Sequence, residues 1–127
     1  MAIIFHITRR EAWESAQAAG NYRTEKFPIE GFIHCSTREQ VVQVANTRFR
    51  SQTGLVLLGI DTDLVSAEIR HENLEGGQQM FPHIYGELNL DAVERVVEFV
   101  PTADGTFALP SHLQRFRLAC SGQIAFS

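Results

Sequence analysis

Gly54-Leu55-Val56-Leu57-Leu58-Gly59-Ile60-Asp61 is a nearly continuous apolar run, shorter than an ordinary helix and bounded by glycine and aspartate. It predicts a central strand. Working upstream, Ser36 followed by Glu39 has the spacing of a capping box, and Val41, Val42, Val44, Ala45 and Phe49 form an apolar stripe of helical period. A helix is therefore expected from that cap to about Phe49. Its three valines lower intrinsic propensity, which leaves packing to hold it. Gly31 to Cys35 predicts a short strand feeding this helix, after a polar connection that contains Pro28.

At the start of the chain, Ala2 to Ile7 is a β-branched apolar run that predicts a strand. Thr8 with Glu11 repeats the capping-box spacing, Glu11 to Ala19 reads as a helix, and Gly20 with Asn21 ends it. Downstream of the central run, Asp61 to Val65 suggests a turn, Ala67 to Glu72 a strand, and Gly76-Gly77 a loop. Leu88 to Ala92 reads as one helical turn. Val93 to Val100 reads as a strand whose alternation breaks once, as a bulge would break it. Asp104-Gly105 predicts a turn into Phe107 to Leu109 and a terminal hairpin. Two early helices and four or five later strands make an α+β fold, in a single domain spanning residues 1–127.

Composition narrows the function. With 44% hydrophobic and 20% charged residues, the 127-residue chain can build one ordinary core. A net charge of -4, with one lysine, Lys26, among ten arginines, gives no extended attraction to a polyanion, so nucleic acid is not the expected partner. Local pairs such as Arg9-Arg10, Arg48-Arg50 and Arg115-Arg117 suit one phosphate or a solvated face, which keeps a small anionic or nucleotide-like ligand in view. Met1 to Ile7 precedes Arg9 and Arg10, the reverse of a secretion signal's charge order, and is far too short to span a bilayer. A cytoplasmic protein without a membrane segment is expected. Cys35 and Cys120 are too few for a cysteine-rich metal site and read as small buried hydrophobes without covalent chemistry.

Three places bear chemistry. His6 stands between Phe5 and Ile7, so two-residue alternation turns its imidazole away from both, either onto a polar concave face or into a structural hydrogen bond. His34, Cys35 and Ser36 lie where a strand becomes a helix, beside amides that suit an anion or sugar hydroxyls; Ser36 serves equally as an N-cap. Phe81, Pro82, His83, Ile84, Tyr85 and Gly86 suit either an aromatic clamp for a planar ring, with His83 or Tyr85 giving a hydrogen bond, or ordinary packing in which Phe81 and Ile84 are core, Tyr85 fills an edge and His83 is incidental. The histidines His6, His34, His71, His83 and His112 include no pair three or four residues apart, so no metal site is expected. Of the acids near the aromatic segment, Glu72, Glu75 and Glu87, the first choice for proton transfer is Glu87, which follows it directly.

Ile4-Phe5-His6-Ile7-Thr8 with Trp13, Glu30-Gly31-Phe32-Ile33-His34-Cys35-Ser36, and Phe81-Pro82-His83-Ile84-Tyr85-Gly86 leading into Leu88 to Val93 together resemble the bacterial family known as domain of unknown function 952. Its members look like the ADP-ribosyltransferase superfamily, a split pair of small sheets around a cleft that accepts NAD in active relatives. The resemblance implies that His6 contacts the nicotinamide-side ribose, that Tyr85 packs on the nicotinamide, and that His34 and Ser36 flank the cleft. The candidate catalytic residues are thus His6, His34 and His83. The candidate cofactor-binding residues are His6, His34, Ser36, Phe81 and Tyr85, with NAD as substrate or ligand. The late-strand glutamate of protein-modifying relatives has no secure counterpart, Glu72 and Glu98 being the substitutes. The function expected is an enzyme acting on NAD or an ADP-ribose-related small molecule, the alternative a noncatalytic module for a nucleotide-like metabolite.

Overall fold

The computed structural model describes residues 2–74 and 77–110. The chain runs β1 (Ile3–Arg9), α1 (Arg10–Ala19), β2 (Asn21–Tyr22), α2 (Phe27–Glu30), β3 (Ile33–His34), α3 (Val41–Arg48) and β4 (Leu55–Asp61). It continues through β5 (Glu68–Glu72), β6 (Phe81–Tyr85), β7 (Leu88–Asn89) and β8 (Val93–Phe99), with short 3-10 turns at Thr62–Leu64 and Leu90–Ala92. The fold is α+β, with the three α-helices of the described residues before β4. Arg115, Arg117, His112, Cys120, Glu75 and Gly76 lie outside the described residues.

The apolar run at Leu55 to Ile60 is the middle strand of an antiparallel sheet of order β1-β4-β8. Every residue of β4 is buried because each face of the sheet is covered. Val56, Leu58 and Ile60 join one core with Ile4, Trp13, Tyr22, Ile33, Ile84 and Leu88. Leu55 and Leu57 point the other way, into a second core with Phe5, Ile7, Val41, Ala45, Phe99 and Phe107. A strand sandwiched in this way has no solvent face on which to alternate. The break in alternation on β8 is a bulge: Gly59 pairs with Arg95 but Ile60 with Val93, leaving Glu94 as the extra residue.

A second antiparallel sheet has the order β3-β6-β5, and β2 pairs with β7 in a two-stranded ladder. The stretch around Met80 to Gly86, unclassified from sequence, supplies the middle strand of this second sheet. Pro82 has no N–H to give, but its carbonyl accepts from the Cys35 amide at 3.0 Å. The two three-stranded sheets meet where Phe5 and Ser36 exchange backbone hydrogen bonds, Phe5 N–H to Ser36 O and Ser36 N–H to Phe5 O, both 2.8 Å.

Both expected capping boxes fail, for one reason. Thr8 and Ser36 are held in extended pairings, so neither can cap a helix. Thr8 lies within β1, its hydroxyl 2.9 Å from that of Tyr22, and the first amide of α1 donates instead to Gly54 O at 2.9 Å. Ser36 bridges to Phe5, which delays α3 until Val41. Before it, Gln40 Oε1 accepts from the Thr37 amide at 3.0 Å while Gln40 Nε2 donates to Met80 O at 2.7 Å. Gly20 ends α1 as expected, in the left-handed region at φ 95° with its amide on Ala16 O. The terminal hairpin does not form: Gly105 makes a turn at φ 87°, but Phe107 packs on Phe99 and gives its amide to Asn46 Oδ1. The connection around Pro28 contains the one-turn helix α2, which was not expected.

The core assignment predicts opposite outcomes for two isoleucines. Ile84→Ala, at a fully buried position, should cost roughly 2–5 kcal/mol in urea unfolding, whereas Ile29→Ala, at a position 88% exposed, should change stability by about 0.5 kcal/mol or less.

Candidate functional site

A cleft of about 440 Å³ opens beside the sheet junction, a volume in the range of small-molecule sites. Its walls come from β1, the segment 22–26, Glu30, the 34–36 segment, the end of α3 and Phe81. β1 lines it from Phe5 to Arg9, with Phe5 and Ile7 packed into the second core and His6 and Thr8 turned towards Tyr22.

His6 Nδ1 is 2.5 Å from the backbone carbonyl of His34, and Nε2 is 2.8 Å from the Tyr22 hydroxyl. A carbonyl only accepts, so Nδ1 carries a proton. Burial pushes the His6 pKa down from 6.5 to about 4, with the His34 carbonyl opposing the shift, so the ring is neutral at pH 7. Nε2 therefore accepts from the Tyr22 hydroxyl, whose oxygen is then left to accept from Thr8. The chain of donors runs from Thr8 to Tyr22 to His6 to the His34 carbonyl. Burial likewise raises the Tyr22 pKa to about 12, against the opposing Thr8 hydrogen bond, so the phenol also stays neutral.

Charge gathers at the mouth. Arg9, Arg23, Lys26 and Arg48 line the cleft against the carboxylates of Glu25 and Glu30, an excess of cations in a molecule whose net charge is -4. Arg23 also lies 3.8 Å from Glu87 across exposed surface. His34 Nε2 is 3.4 Å from Glu30 Oε1, with both side chains about one-third exposed.

Of the expected site residues, His6, His34, Ser36 and Phe81 lie on the cleft wall, although Ser36 is buried and its backbone is spent on Phe5. His83 and Tyr85 do not line it. They continue the sheet face that carries His34 and Phe81: the His34 and His83 ring centroids are 5.1 Å apart, and Phe32 contacts His34, His83 and Tyr85 together. Glu72 serves this group, whereas Glu87 receives Asn21 at 2.8 Å and Glu98 pairs with Arg10 at 3.1 Å on exposed surface. Sequence reasoning missed Tyr22 and Phe32 as members of the site. No local pattern marks Tyr22, but the alternation Glu68, Arg70, Glu72 against Phe81, His83, Tyr85 was available to place Glu72.

Cys35 is buried, and burial pushes its thiol pKa far up, away from the thiolate that covalent chemistry requires. Among the described residues no three His, Cys, Asp or Glu side chains could hold a metal ion. No described helix is long and apolar enough to cross a membrane.

The buried neutral His6 makes stability depend on pH. Between about pH 6.5 and 4 the unfolded chain takes up a proton that the folded ring refuses, so this contribution is full above pH 6.5 and is lost as pH falls towards 4. The loss is about 3 kcal/mol by linkage. His6→Asn keeps a side-chain N–H for the His34 carbonyl but cannot titrate. Urea unfolding should therefore show the stability difference between wild type and variant shrinking by that amount from pH 7 to pH 4; a constant difference contradicts the assignment. On the outer face, Glu72 is held below the usual carboxylate range by the Tyr85 hydrogen bond first and His83 second. Tyr85→Phe should move the Glu72 titration upward when followed by carbon NMR.

Residues 7–96 match the family model described as protein of unknown function (DUF952). The comparison with curated proteins finds no match. Among solved structures, the crystal structure of protein CC0527 from Caulobacter crescentus is 34% identical, covering 88% of this chain and 98% of that one with a TM-score of 0.79. The solution NMR structure of the same protein gives a TM-score of 0.76 at the same identity. The family model spans most of the chain and the structural relative nearly all of it, so this protein belongs to the DUF952 family.

Proposed function

We propose that the protein is an enzyme acting on NAD or an ADP-ribose-related compound bound in the cleft beside the sheet junction. The observation that carries this reading is the pairing of a cation-rich mouth with a neutral, fully hydrogen-bonded wall. Arg9, Arg23 and Lys26 suit a pyrophosphate, which needs charge at the rim where screening water still reaches. His34 and Glu30 supply a donor and an acceptor for ribose hydroxyls, and Phe81 offers an apolar surface beside them. Two small antiparallel sheets joined at one bridge, with the cleft at their junction, support the likeness to the ADP-ribosyltransferase fold. Cleavage at the ribose would develop positive charge on the anomeric carbon, and Glu30 is a carboxylate on the wall that can oppose it.

A noncatalytic binding module for the same ligand class is favoured by one feature: both His6 nitrogens are already engaged, which leaves this imidazole to shape the wall rather than move a proton. Product analysis after incubation with NAD separates the two readings, since free nicotinamide appears only with turnover.

Calorimetric titration with NAD and with ADP-ribose tests the shared premise. Wild type should bind one of them, and His34→Ala should weaken that binding by about 0.5–1.5 kcal/mol, roughly 2- to 13-fold in Kd, with a smaller effect on unfolding. No heat or competition signal with either ligand up to low millimolar concentration rejects the ligand class, and equal affinities remove His34 from the site.

A further inference from the structure

On the outer face of the second sheet, alternation along β6 sets Phe81, His83 and Tyr85 on one side, and β5 brings Glu68, Arg70 and Glu72 opposite them. His83 is only 1% exposed, yet it is not an apolar filler. Its Nδ1 lies 2.9 Å from Glu72 Oε1, and the Tyr85 hydroxyl donates to the same oxygen at 2.6 Å. The Arg70 guanidinium sits 4.4 Å over the Tyr85 ring and closes the group on its far side. An ionised carboxylate only accepts, so His83 Nδ1 carries the proton, and in the neutral ring Nε2 is a lone pair. Nε2 is buried and has no hydrogen-bond partner among the described residues. Phe32 stacks on this imidazole at 4.4 Å between centroids and 24° between planes, while touching His34 at the cleft edge.

A buried polar atom left without a partner lowers stability, and native folds retain few of them. Here the groups around it are arranged to keep it in one chemical form. We propose that Glu72 is a positioning residue that fixes His83 as the Nδ1–H tautomer, so that Nε2 accepts a hydrogen bond from a hydroxyl of a ligand entering from the cleft. Phe32, stacked on the face of the imidazole, packs the ring in place and shields it. A carboxylate that orients a histidine through one nitrogen to ready the other is a recurrent arrangement where a proton must be held or taken. Tyr85 keeps the carboxylate ionised and aimed. This inference takes from the preceding reading only the choice of ADP-ribose as a hydroxyl-bearing probe.

Nitrogen NMR of the imidazoles in the ligand-free protein reads the tautomer directly. His83 should show a protonated Nδ1 and an unprotonated Nε2, a single tautomer that Glu72→Gln preserves, because its amide oxygen still accepts, and that Glu72→Leu converts to a mixture. A merely structural carboxylate would leave the tautomer unchanged in Glu72→Leu, and that result overturns the positioning role, as does an Nε2–H ring in wild type. Diethyl pyrocarbonate supplies the second readout, since it acylates an available imidazole lone pair with release of ethanol and carbon dioxide. Mass mapping should find His83 slow to react in wild type and several-fold faster in Phe32→Ala, or in Phe32→Leu where the alanine variant does not fold. No gain at intact fold by circular dichroism overturns the role of Phe32. Saturating ADP-ribose should move the His83 Nε2 resonance, and binding that leaves it unmoved overturns the ligand contact. Absence of ADP-ribose binding rejects the cleft's ligand class while the tautomer and acylation results still decide the arrangement of Glu72, His83 and Phe32.

Discussion

The reciprocal hydrogen bonds between Phe5 and Ser36, both 2.8 Å, join the two sheets, and the site depends on that seam. Neither sheet alone builds the cleft. Pairing β1 to residue 36 carries the Cys35 amide onto the Pro82 carbonyl and brings the His34 carbonyl within reach of His6 Nδ1. Three segments distant in sequence are thereby held in one place largely by backbone groups, whose geometry varies less than that of long side chains. A rigid seam is a suitable base for a site because its polar groups keep their aim without a ligand to organise them.

Two histidines near this seam sit in different surroundings. His6 lies among apolar neighbours and a phenol, and desolvation keeps it neutral. His83, equally buried, faces a carboxylate held below its usual titration range. Burial alone therefore does not define an imidazole's chemistry; the partner on its first nitrogen sets what the second can do. The cation-rich mouth adds a third environment, local to the cleft and contrary to the chain's net charge.

Elements whose signal is local were legible in the sequence. The apolar run of β4 shows burial on both faces, Gly20 marks the end of α1, and the broken alternation of β8 shows its bulge. The two capping boxes misled because spacing alone cannot reveal a competing long-range partner: Thr8 meets Tyr22, and Ser36 meets Phe5. β6 escaped classification because Pro82 lacks the N–H that a central strand normally gives, and the pairing of its carbonyl with the Cys35 amide is set by tertiary structure. At the site, periodicity turned His6 away from Phe5 and Ile7. It gave no reason to bring Tyr22 to His6 or to lay Phe32 over His83, since both contacts follow from packing between segments.

The central claim is that the cleft at the seam is the ligand site. Backbone amide NMR during titration with ADP-ribose tests it by location: the account predicts saturable shifts concentrated at Thr8, Tyr22, Arg23, His34 and Ser36. Shifts confined to the distant strand β8, or a spectrum that stays unchanged to low millimolar ligand, would contradict it.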